Sequence, residues 1–176
     1  MSKPYTLRED DKATAVMAYT RSEMVWGDVI TPKAIRVGIW FKTDMAPSML
    51  NLYAVHVLSL TGDEVTRPMP YNHIAIPMRL VVAFHPMPNV QEPIAYDPKE
   101  PNRKMEPVVA SVGSLQMQGS LRMATASNLR QFLDVNRDEY TSLFDVAISH
   151  PRMPQGRTFH LPHAVVRSNE AIFAQL

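Results

Sequence analysis

His160-x-x-His163 is the one close histidine pair in a chain with six histidines and no cysteine. On an extended strand, residues three apart face opposite sides, so the pair chelates only across a bend. Pro162 lies between them to supply one, and His150 is the candidate third ligand. The plainer reading is polar positions on a half-exposed strand, and the expectation is no bound metal and no cofactor. Absence of cysteine excludes disulfides, thiolate sites and cysteine nucleophiles. Ser22, Ser48, Ser59, Ser111, Ser114 and Ser149 lie in neither a Gly-x-Ser-x-Gly elbow nor a Ser-x-x-Lys motif. Glu9-Asp10-Asp11, Asp63-Glu64 and Asp138-Glu139 fall in polar, turn-like contexts, where carboxylates stay solvated. Six glycines form no phosphate-binding loop. No catalytic residue is assigned.

A stronger constellation lies between residues 35 and 43. If this stretch is a strand, Arg36, Trp40 and Lys42 share one face, Gly38 leaves room between them, and Trp26 on the neighbouring strand widens the platform. Cations beside a stacking ring suit single-stranded nucleic acid. Exposed Trp and Arg are equally features of protein–protein interfaces, and Lys42 also suits a gatekeeper on an edge strand. Two facts favour the interface. The net charge is +1, and the matching place in the second half carries Arg130, Phe132, Asp134 and Asn136. The contact set is therefore Trp26, Arg36, Trp40 and Lys42, with Met45, Met49 and Met69 as adaptable apolar partners.

These residues must be held by a chain that repeats itself. Val16-Met17-Ala18 and Gly27 recur as Val108-Val109-Ala110 and Gly119, and Leu52 to Val57 matches Leu143 to Ile148. Ile74 to Val81 is aligned with Phe159 to Val166, which equates Pro77 with Pro162. Each copy must then bury its own apolar face. The periodicity is that of strands: Ile35, Val37, Ile39 and Phe41 alternate with Arg36, Gly38, Trp40 and Lys42. Leu115, Met117, Gly119, Leu121 and Met123 alternate likewise, as do Ile74 through Phe84. Strands are expected near 14–21, 24–31, 35–43, 52–60 and 73–84, and again near 108–114, 115–123, 143–149 and 158–167. Asn128 is a possible N-cap, but the alignment equates Leu129, Gln131, Leu133 and Val135 with the strand at 35–41, so 128–142 is read as strand. A repeated internal proline suggests a bend that closes a small barrel.

The expected plan is an N-terminal arm over 1–12, a five-stranded barrel over 13–84, a proline-rich linker over 85–107 and a second barrel over 108–176. The linker holds six prolines in 23 residues. The first residues are mixed in charge, unlike a signal peptide, and no apolar run reaches the length of a membrane span, so a soluble, cytoplasmic protein is expected.

The strand Ala15-Val16-Met17-Ala18-Tyr19-Thr20, then Val25-Trp26-Gly27-Asp28-Val29, Ile35 to Phe41 and Ile76 to Phe84 together resemble an uncharacterised bacterial family of small β-barrel domains. That resemblance touches both halves and implies fold without an activity. Gly27-Asp28-Val29, Leu50-Asn51-Leu52 and the Ile76 to Phe84 strand are loosely similar to Sm-like barrels, but Gly27 and Asn51 are too far apart for that pattern. No RNA-binding residue carries over.

The reading is an all-β protein of two tandem small five-stranded β-barrels. Its expected role is a non-catalytic structural or interaction module that self-associates through exposed strand faces. A single-stranded nucleic-acid or nucleotide-binding module is the alternative. An enzyme with a site between the copies, around His56, His150 and His160, is the third.

Overall fold

The computed structural model describes residues 4–62, 67–90, 92–93, 96–153 and 158–176. The protein is all-β and divides into two units, residues 1–91 and 92–176. Unit 1 holds β1 (Asp11–Tyr19), β2 (Glu23–Pro32), a 3-10 helix (Val37–Lys42), β3 (Met49–Ser59), β4 (Met69–Pro77), a short 3-10 turn (Met78–Leu80) and β5 (Ala83–Pro86). Unit 2 holds β6 (Arg103–Val112), β7 (Leu115–Ala124), the helix α1 (Leu129–Val135), β8 (Tyr140–Ser149), β9 (Phe159–Arg167) and β10 (Ile172–Gln175).

Within each unit the strands pair antiparallel, and the two units share one strand order. Unit 1 reads β5-β1-β2-β3-β4 and unit 2 reads β10-β6-β7-β8-β9. Their registers correspond: Ala18 opposes Phe84 as Ala110 opposes Phe173. Tyr53 opposes His73 as Phe144 opposes His163. Among the described residues β4 pairs only with β3 and β10 only with β6, so neither sheet closes into the expected barrel.

Period-two burial follows the sequence pattern. In β7, Leu115, Met117, Gly119, Leu121 and Met123 are buried while Gln116 and Gln118 are exposed. The same sheet face of unit 1 buries Val16, Ala18, Val25, Val29, Leu50 and Leu52. Each sheet bends where β2 meets β3 and β7 meets β8. The register shifts between Trp26 and Asp28 and between Gln118 and Ser120, opposite Ala54 at φ 50° and Asp145 at φ 51°. The bent strand comes so close that a Cβ on Gly27 would lie 2.7 Å from the Tyr53 carbonyl oxygen. One on Gly119 would lie 2.9 Å from that of Phe144. Only glycine fits either place.

Four further expectations are corrected. Residues 35–43 are not a strand. β2 pairs directly with β3, which leaves residues 33–48 as a connection, and the connection coils so that Val37, Gly38 and Phe41 are buried. Residues 129–135 are likewise helical. Asn128 accepts a hydrogen bond from the Gln131 amide while the Gln131 side chain accepts from Asn128 N–H, a complete capping box. The stretch 73–84 is broken at Pro77, where β4 ends and the chain turns into β5. Pro77 and Pro162 also do not correspond. By register Pro77 matches Arg167, and Pro162 lies beside the kink at Asp145.

Candidate interaction surface

Helical coiling separates the residues that a strand would have aligned. In a 3-10 helix positions three apart fall on one side, which places Trp40 on the side of buried Val37 and Lys42 on that of Ile39. Arg36 is the N-cap residue and Gly38 is buried, leaving no room between the cations. The Trp40 indole N–H donates to the Met45 carbonyl at 2.9 Å, which ties Arg36, Trp40, Lys42 and Met45 into one local knob. Trp26 lies elsewhere, on β2, its ring stacked on His56 with centroids 5.5 Å apart and planes 11° apart. Met69 opposes Val57, which opposes Val25, so Met69 is close to Trp26 in register. Met49 pairs with Pro77 at the far end of the same hairpin. The seven residues therefore form two groups, with Met49 outlying.

Each unit holds a trio of aromatic rings that the sequence reading did not group, His163 having been weighed only as a metal ligand. Tyr53 stacks on His73 at 4.9 Å, and Tyr5 meets Tyr53 edge-on at 5.5 Å. Tyr5 also donates its hydroxyl proton to Asp28. In unit 2 His163 leans on Phe144 at 5.1 Å and Tyr96 meets Phe144 edge-on at 4.8 Å, with the Arg122 guanidinium 4.7 Å over the Tyr96 ring. Each trio clasps the segment before the first strand onto the bent hairpin. Tyr5 and Tyr96 are 91 residues apart, as are Tyr53 and Phe144. That shared offset, extended into the arm and the proline-rich segment, was the signal.

One buried polar cluster is confined to unit 1. His85 and Tyr19 are both fully buried, and His85 Nδ1 lies 2.7 Å from the Pro86 carbonyl. A carbonyl only accepts, so Nδ1 carries the proton. The Tyr19 hydroxyl, with its one proton, lies 3.1 Å from the acceptor Nε2 and 2.9 Å from the Met17 sulfur. Burial lowers the His85 pKa from 6.5 to about 4, against a smaller opposing effect of the Pro86 hydrogen bond, and burial raises that of Tyr19. His85 is thus neutral near pH 7. At the matching places unit 2 carries Ser111 and Ala174.

The edge of unit 1 is β4, Met69-Pro70-Tyr71-Asn72-His73-Ile74-Ala75-Ile76-Pro77. It contains no charged residue, its first five residues are all exposed, and Met69 and Tyr71 are 56% and 43% exposed. Across the sheet it is reached by the row Trp26, His56 and Pro70.

Chemistry is sparse elsewhere. Among the described residues no three His, Asp or Glu side chains gather where they could hold a metal, His150 and His160 included. The His150 pKa is lowered by burial and by the Arg152 charge. No described helix is long and apolar enough to cross a membrane. No family model, curated protein or solved structure matches this chain.

Proposed function

We propose that this chain is a non-catalytic structural module, one bent sheet duplicated in tandem, that self-associates by pairing β4 with β4 of a second copy. The observation that carries the reading is the uncharged, nine-residue edge strand. Long edges expose a row of unpaired N–H and C=O groups, and proteins that stay monomeric blunt them with lysines, bulges or shortness. β10, at four residues, is blunted by shortness. β4 carries prolines only near its ends, at 70 and 77, which leaves Tyr71 to Ile76 with every backbone donor intact. An antiparallel pairing centred on His73, which then faces its own copy, sets Asn72 against Ile74 and Tyr71 against Ala75. This is a two-fold, self-complementary arrangement. Trp26, His56, Met49 and Met69 flank the paired strand; Arg36, Trp40, Lys42 and Met45 lie on a separate knob. Duplication is supported by the common strand order, the paired glycines and the two aromatic clasps.

Amide hydrogen exchange across a dilution series tests the pairing. Protection over residues 71–76 should grow with protein concentration while β1 and β2 stay constant. Concentration-independent exchange over 71–76 would contradict it.

A further inference from the structure

The two units differ where a helix meets the short last strand. In unit 1 the 3-10 helix fills that place: Phe41 stacks on Phe84 with centroids 4.1 Å apart and planes 25° apart, and Val37 is fully buried. In unit 2 the register assigns Phe173 the position of Phe84, but α1 buries none of its residues. A cleft of about 450 Å³ stands there, with Leu133 of α1 and Ala171 and Phe173 at β10 among its walls. Its volume falls within the range of small-molecule sites.

The polar walls divide into engaged and available groups. Asn136 donates to Thr141 at 2.8 Å and its side-chain oxygen accepts from the Asp138 amide, while Ser168 donates to the Asp138 carbonyl. Glu139 is held by the buried Arg167 guanidinium, which also donates to the Tyr140 hydroxyl at 2.6 Å. These groups fix the wall. Arg137, which also lines the cleft, has no ion-pair partner among the described residues, and Asn169 stands beside it in the lining.

We infer that this cleft binds a small aromatic anion. The ring takes the place against Phe173 that Phe41 takes against Phe84, and the anionic group meets the Arg137 guanidinium, with the Asn169 amide as second donor. Unit 1 is the internal reference: on the same framework its own Phe41 occupies the place against Phe84. The inference does not depend on self-association.

Phenylacetate, titrated into the full chain and followed by NMR, is the probe. Saturable binding at roughly millimolar or tighter affinity is expected, with shifts centred on Phe173 and Leu133. Leu133→Trp fills the cleft and should abolish binding. Arg137→Gln, at an exposed position, should weaken it about tenfold, the effect of one charge-assisted contact. Uncharged phenylacetamide should bind the unsubstituted protein as weakly as phenylacetate binds that variant. Absence of saturable binding, or phenylacetate affinity unchanged by Arg137→Gln, overturns the proposal, even if Leu133→Trp fails to fold.

Discussion

Gly27 and Gly119 are placed by backbone crowding, and a methyl group at either has nowhere to go. Gly27→Ala should destabilise the protein by at least about 2 kcal/mol, because the obstructing atom is a main-chain oxygen that moves only with the strand. A lower urea midpoint with an unchanged slope is the expected result. An unchanged midpoint would show that the bend relaxes freely. The facing residue has the opposite sign: Ala54 at φ 50° is strained, and Ala54→Gly should gain about 1 kcal/mol. His85 makes stability depend on pH. Its folded pKa of about 4 lies below the unfolded value of 6.5, so the unfolded chain takes up a proton first as pH falls. The contribution is complete above about pH 6.5 and is lost progressively toward pH 4, amounting to about 3 kcal/mol. His85→Gln should flatten that part of the profile in thermal melts; parallel profiles would contradict the assignment. The glycines were legible because they recur at a fixed offset. His85 was not, since its burial depends on the pairing of Met17 with His85.

At the scale of elements, alternation found the strands whose two faces differ. β7 is the clearest, its burial following its sequence residue by residue. The same alternation misread 35–43, because Val37, Phe41 and their neighbours fit a coiled connection as well as a strand. What decides is the ladder between β2 and β3, a long-range fact. At 129–135 the cap was visible in Asn128 and Gln131, and aligning it with a supposed strand carried one error into the second unit. Both segments are helical connections in their own units. Asn128→Ala removes one half of the capping box and should cost about 1 kcal/mol, read as a lower melting temperature. A stability equal to the parent would mean that tertiary contacts, not the cap, hold α1. The candidate contact residues fared unevenly for the same reason. Trp26 and Met69 come together through strand register, whereas Arg36, Trp40 and Lys42 follow the helix away from them.

At the scale of the whole molecule, two units with one strand order each carry a terminal strand with a single neighbour. Of these two strands β4 is the long, uncharged and exposed one, and the proposed pairing through it would close as a dimer rather than grow as a fibre. Light scattering coupled to size exclusion tests this most directly, comparing the parent with a Tyr71→Lys, Ala75→Lys double variant. The account predicts a discrete parent species of twice the chain mass of 19.9 kDa, and a folded monomer when lysines blunt the edge. A monomeric parent, or a dimer that persists in the double variant, would contradict it.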